Sequence, residues 1–265
     1  MVHDLEATAQ ALVTPGKGIL AADESMGTIK KRFDTIDVES TEENRRSYRE
    51  LLITTENAEN HISGIILFDE TARQETAGGR PFIEVLNEKG ILPGIKVDKG
   101  AKPLAFCPDE KVTEGLDSLR PRLEEYAAMG LRFAKWRAVI TIDVDKGLPS
   151  ETCLDVNAHA LARYAGLCVE EGLVPIVEPE VLMNGPHTID DCFVATERTL
   201  KRVYEALFTQ RVPLEKTLLK PNMVLSGDTC SEQAEPEEVA AKTIACFKRT
   251  LPAAVPGVVF LSGGQ

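Results

Sequence analysis

Short apolar, β-branched runs alternate with longer amphipathic segments along the whole sequence, and this alternation restricts the fold more than any other feature. The runs are GILAAD (18–23), ISGIILF (62–68), LPGIKV (92–97), LRFAKWRAV (131–139), VPIVEPE (174–180), KTLLKPNM (216–223) and GVVFLSGG (257–264). Runs of this kind read as strands, and the segments between them carry apolar residues at helical spacing. Strand, helix and strand in repetition call for parallel strands joined by crossover helices. Seven strands without a nucleotide-binding glycine fingerprint favour a (β/α) barrel over a doubly wound sheet. The expected fold class is therefore α/β, a (β/α)8 TIM-barrel type with about seven strands present. No linker, low-complexity tract or internal repeat divides the chain, so residues 1–265 read as one barrel domain.

Several helix boundaries are predicted by end signals. Ser40 and Glu43 have capping-box spacing ahead of NRRSYRELLITT. LDVNAHALARYAGLCVEEG runs to Gly172, a suitable C-terminal glycine. Phe193, Leu200, Val203 and Leu207 fall roughly on one face of TIDDCFVATERTLKRVYEALF. Pro236 suits the first turn of EPEEVAAKTIACFKRTL.

Composition narrows the function. Hydrophobic content of 43% and charged content of 27% are those of a soluble globular chain. The 30 Lys and Arg against 42 Asp and Glu give a net charge of −12, which disfavours nucleic acid and anionic membrane as partners. An anionic substrate would need a local cluster of cations. No apolar stretch approaches the roughly 20 residues of a membrane span. MVHDLEATAQ lacks the basic and apolar regions of a secretory signal. The six cysteines (Cys107, Cys153, Cys168, Cys192, Cys230, Cys246) are scattered and read as reduced, which places the expected location in the cytoplasm. The four histidines make no metal-binding pair, and no metal is expected. His159 lies in an Ala/Leu-rich helical pattern and reads as a satisfied structural histidine; His187, in an NGPH loop, is assigned nothing.

Chemistry in such a barrel gathers at the C-terminal ends of the strands. The first run ends in Asp23, the third carries Lys96, and the fourth carries Lys135 and Arg137. The fifth carries Glu178 and Glu180, the sixth Lys220 and the seventh Ser262. Singly, each could be an ordinary solvated end residue; recurring at the same point of successive strands, they would converge on one mouth. Lysines in close company and short of water have lowered pKa values. Lys220, set in the apolar run LLKPNMV, is thus a candidate imine-forming nucleophile with Lys135 facing it. Glu178 fits a general acid/base, and Asp23 a base for carbon–carbon cleavage. The remaining cations, with the Ser262-Gly263-Gly264 backbone, suit phosphate groups.

These residues stand in GKGILAADES, GIILFDET, GGRPF, GIKVDKG, FAKWR, LARYA, VPIVEPE, LLKPNMV and FLSGGQ, in that order. Together the motifs resemble class I fructose-1,6-bisphosphate aldolase, the Schiff-base and metal-independent kind, over nearly the whole chain. The resemblance implies Lys220 as the Schiff-base lysine, Glu178 as acid/base with Glu180 in its charge network, and Asp23 at the substrate hydroxyl. It also implies that Lys96, Lys135 and Arg137 hold the substrate and one phosphate, with Ser262 and Gly263 at the other. Ser25 matches a phosphate-contacting serine, Thr28 stands where a second serine is usual, and Met26 replaces a usual threonine. No cofactor is implied beyond the imine itself. The implied partners are a phosphorylated sugar substrate and, at full length, three further copies in a cytosolic homotetramer of glycolysis and gluconeogenesis.

The sequence stops directly after the seventh run, before the eighth strand, arginine loop and C-terminal tail that the family carries. Two further readings follow: a truncated, non-catalytic aldolase-like binding protein, and another Schiff-base lyase on the same fold. The first is disfavoured by the intact acid, base and nucleophile. The second is disfavoured by cations on both sides of Lys220, which a bisphosphate needs.

Overall fold

The structure is a computed structural model that describes residues 4–260. The Asp4 carboxylate accepts from the backbone N–H groups of Glu6 (3.0 Å) and Ala7 (3.2 Å), capping helix α1 (Leu5–Leu12). There follow β1 (Gly18–Ala22), α2 (Met26–Asp34), α3 (Glu42–Thr54), β2 (Ile62–Leu67), α4 (Asp69–Ala72), α5 (Phe82–Glu88) and β3 (Leu92–Lys96). A hairpin of β4 (Ala101–Pro103) and β5 (Lys111–Thr113) and helix α6 (Leu119–Ala128) lead to β6 (Phe133–Ile140). The chain continues through α7 (Glu151–Glu170), β7 (Val174–Val181), α8 (Ile189–Thr209), β8 (Leu218–Leu219) and α9 (Pro236–Thr250).

The main sheet has the order β1-β2-β3-β6-β7-β8, with every neighbouring pair parallel. Neighbours in space are successive strands of that sheet in the chain. The sheet therefore curls in one direction like the staves of a barrel, and does not reverse as a doubly wound sheet does. The seventh predicted run adds itself through a parallel bridge between Leu219 and Val258.

Side chains alternate in direction along each strand. Phe133, Val174, Ile176 and Leu218 join Ile66 and the α1 residues Leu5, Ala9 and Leu12 in one apolar cluster, the floor of the barrel. Ala134, Trp136 and Ala138, the intervening residues of β6, pack outward with Leu161, Tyr164 and Cys168 of α7. The Trp136 and Tyr164 ring centroids are 5.6 Å apart. Each large apolar side chain so buried contributes on the order of 1.5–3 kcal/mol. Gly94 of β3 is required by this floor, because a Cβ there would meet the Phe133 ring at well under 3.0 Å.

Some sequence expectations are corrected. The predicted Ser40/Glu43 box is one residue out of register. Thr41 is the N-cap, accepting from Asn44 N–H at 3.1 Å, while Glu43 pairs with Arg46 at 2.7 Å. A capping box does form at Thr188 and Asp191, ahead of α8. The β4–β5 hairpin went unpredicted, because its strands are only three residues each and carry no apolar run. The predicted strand 216–223 is pared to two residues, since the next ladder bond, to the Lys220 carbonyl, would have to come from residue 179 of β7, a proline without N–H. His159 is exposed on α7 and not enclosed. Gly172 (φ +82°) follows the end of α7 and Pro236 opens α9, both as predicted.

Candidate active site

Two residues above Phe133 on the same face of β6 stands Lys135, and two above that Arg137; β7 repeats the change with Ile176, Glu178 and Glu180. Strand periodicity thus converts an apolar floor into a charged layer within a few residues. Register aligns the charges: Arg137 lies opposite Glu178, and Lys96 opposite Lys135.

Glu178 is the centre of this layer and is 1% exposed. Its Oε1 accepts from Lys220 Nζ. Its Oε2 lies 3.3 Å from Lys135 Nζ without an aligned hydrogen bond. Lys135 also reaches Asp23 Oδ2 at 2.8 Å. Arg137 Nε pairs with Glu180 and stands 4.0 Å from Glu178 Oε1. Lys96 Nζ donates to the Asp98 carboxylate at 2.6 Å and to its carbonyl at 2.9 Å.

The electrostatics separate the two buried lysines. Burial pulls the Lys135 ammonium down, but Glu178, Asp23 and Asp98 surround it and hold its pKa above the ordinary lysine value. Burial pulls Lys220 down too, and there it wins: Glu178 supports the charge while Lys135 opposes it, leaving Lys220 below 10.5. Asp23 is buried, which alone would raise it, yet the charge and hydrogen bond of Lys135 hold it below the ordinary 3.8. The arrangement therefore favours one fixed cation, one titratable amine and one persistent carboxylate.

At the end of β1, Ser25 precedes α2 in extended conformation (φ −62°, ψ 163°), and its hydroxyl lies 3.1 Å from that of Thr28. The Ser25 side chain makes no capping hydrogen bond to this helix, which leaves its first N–H groups able to face an anion. Asp23, Ser25, Thr28, Lys96, Lys135, Arg137, Glu178, Glu180 and Lys220 all line one cleft of about 1480 Å³. Ser262 and Gly263 lie outside the described residues.

Sequence reasoning missed two contributors. Asp98 is 8% exposed; besides Lys96 it accepts from the backbone N–H of Gly100 at 3.0 Å and of Arg137 at 3.4 Å. Its two-residue spacing from Lys96 in GIKVDKG was the available signal. Glu24, beside Asp23, pairs with Arg32 and the buried Arg49, and no local spacing announces that partnership.

A family profile described as glycolytic fructose-bisphosphate aldolase class-I matches residues 4–265. The chain belongs to the class-I fructose-bisphosphate aldolase family. It is 61% identical over 264 residues to a probable fructose-bisphosphate aldolase class 1 of Xanthomonas campestris, covering 100% of this chain and 78% of that protein. It is 55% identical over 263 residues to the cytosolic fructose-bisphosphate aldolase 4 of Arabidopsis thaliana, covering 99% of this chain and 66% of the relative. Among solved structures, the Plasmodium falciparum fructose-bisphosphate aldolase, crystallised with TRAP and a small-molecule inhibitor, superposes with a TM-score of 0.97 at 51% identity. That match covers 98% of this chain and 75% of the other. Within this aldolase-family chain, no helix among the described residues is long and apolar enough to cross a membrane. No group of three or more His, Cys, Asp or Glu among the described residues is arranged to hold a metal ion.

Proposed function

We propose that this chain reversibly cleaves fructose 1,6-bisphosphate to dihydroxyacetone phosphate and glyceraldehyde 3-phosphate, as a lyase that works through an imine on Lys220. The observation that carries the reading is the contact of Lys220 Nζ with Glu178, whose other oxygen faces Lys135 and, through it, Asp23.

Neutral Lys220 attacks the C2 carbonyl of the open-chain sugar. Glu178 supplies the proton with which the carbinolamine loses water, giving an iminium. Asp23 takes the proton of the C4 hydroxyl; the C3–C4 bond breaks and its electron pair moves into the enamine. Glyceraldehyde 3-phosphate leaves as the aldehyde. Protonation of the enamine at C3 and hydrolysis of the imine release dihydroxyacetone phosphate and restore the amine. Lys135 holds Asp23 as a carboxylate and disfavours a second cation at Lys220.

Phosphate recognition falls to Lys96, Arg137, Ser25 and Thr28 at the rim, and to Ser262 and Gly263 for the second phosphate. Local cations are what a chain of net charge −12 needs to hold an anion. We read the enzyme as metal-independent, located in the cytoplasm and homotetrameric.

The test is borohydride reduction in the presence of dihydroxyacetone phosphate, followed by peptide mass spectrometry. The adduct is expected on Lys220 and absent from Lys220→Arg. An adduct elsewhere, or undiminished trapping by Lys220→Arg, would overturn the assignment.

A further inference from the structure

The β8 strand is too short to position Lys220 through backbone pairing alone. Its last ladder bond is Lys220 N–H to the Val177 carbonyl at 2.8 Å. On β7, residues 174 and 182 donate toward β6, to Arg132 and Ile140, so the odd-numbered residues face β8. Of these, Pro175 and Pro179 have no N–H to offer. The edge that should fix Lys220 against Glu178 is thus poor in donors on β7.

Asn222 fills the gap with its side chain. It is 4% exposed, and its Oδ1 accepts from Val181 N–H at 3.1 Å, where a strand carbonyl would otherwise stand. Its Nδ2 donates to Thr196 Oγ1 on α8 at 3.0 Å and to the Met223 carbonyl at 3.0 Å. A second substitution of the same kind follows at once: Val224 N–H donates to Thr243 Oγ1 of α9 at 2.9 Å. One carboxamide therefore joins the segment after Lys220, the end of β7 and the crossover helix between them.

We propose that Asn222 is a positioning residue that sets the reach of Lys220 to Glu178 by standing in for strand backbone. A carboxamide suits the task because it accepts and donates at once. An aspartate in its place would offer Met223 a second acceptor and bring a buried charge. Near the reacting amine, a displacement of about 1 Å can cost on the order of a hundredfold in rate.

The inference rests on Lys220 being the imine-forming amine, and the experiment separates the two. Asn222→Ala, Asn222→Asp and the milder Thr196→Val are compared with the parent chain in two assays. In the first, dihydroxyacetone phosphate is trapped with borohydride at saturating concentration. Asn222→Ala should fall by about tenfold to a hundredfold in rate, with the half-saturating concentration within about twofold of the parent. Thr196→Val should fall less, in the same direction. In the second, acetic anhydride labels the free chain over a pH series, read at Lys220 by mass spectrometry. The labelling midpoint should move up toward 10.5 as water reaches the amine.

Circular dichroism identifies folded variants, and Thr196→Val carries the test should Asn222→Ala fail to fold. A folded variant that traps at the parental rate and labels at the parental midpoint overturns the role of Asn222. A parent chain that forms no adduct overturns the proposed function instead, and the labelling assay still judges Asn222.

Discussion

Lys135 Nζ, on the third residue of β6, stands 2.8 Å from Asp23 Oδ2, just past the end of β1, although β6 and β1 are not neighbours in the sheet. The same ammonium is 3.3 Å from Glu178 Oε2, so one buried cation sits between two carboxylates. The pairing explains how one cleft can shift two lysines in opposite directions: the better-paired one is held toward its charged form, and its charge works against that of the other.

Removing that cation should be felt at Lys220. In Lys135→Met the repulsion is lost, so the pH at which Lys220 becomes reactive should rise. Turnover at neutral pH should fall by about a hundredfold or more. Lys135→Arg keeps the charge and should keep the pH midpoint while losing rate through altered geometry. The pH profile of borohydride trapping checks both. An unchanged midpoint in Lys135→Met would remove Lys135 from the control of Lys220.

Asp23 should leave a mark on acid stability. Its folded pKa lies below 3.8, because Lys135 more than offsets burial. A depressed carboxyl contributes stability that is present in full above its unfolded pKa and is lost as pH falls through the folded one. Asp23→Asn should therefore be less stable than the parent near neutrality. The difference should narrow as the pH drops below about 4. Urea unfolding from roughly pH 3 to pH 7 measures it, and a difference constant across that window would exclude this linkage.

The sequence was most legible where one residue's neighbours in the chain are also its neighbours in space. Strand periodicity put Lys135 and Arg137 on one face, and the apolar run around Lys220 marked its burial. Illegible were the contacts that tie distant segments together. Asn222 meets Val181 and Thr196, and Arg49 meets Glu24, over separations that no local pattern encodes. Thr41 displaced Ser40 as a cap because the two are adjacent and chemically alike, leaving tertiary geometry to choose. The β4–β5 hairpin is too short to produce a period.

Arg49 should matter beyond its own helix. It pairs with the Glu24 carboxylate and donates to the Glu24 carbonyl at 3.3 Å, with side chains 3% and 6% exposed. Glu24 follows Asp23 directly, so the clamp holds the end of β1. Arg49→Met should destabilise by about 3 kcal/mol, since it strips a buried carboxylate of one partner. Arg49→Lys should recover little, because one ammonium cannot reproduce the forked donors. A double-mutant cycle with Glu24→Gln should give a coupling of about 1 kcal/mol or more in urea unfolding; additive effects would show that the pair is not a unit.

Gly94 ties the barrel floor to the layer above it. A Cβ at this position would press on the Phe133 ring from inside the barrel, and Lys135 is the next residue on that face of β6. Gly94→Ala should cost about 1–3 kcal/mol as overpacking. If the ring moves upward, Lys135 is displaced from Asp23 and trapping slows as well. Phe133→Leu alone should also destabilise, by leaving space above α1. Combined with Gly94→Ala, it gives the added methyl that space, and the double variant should be more stable than the sum of the single effects predicts. Urea unfolding and trapping rate, measured on all four proteins, distinguish steric conflict from a general weakening of β3. Strict additivity in both would rule the conflict out.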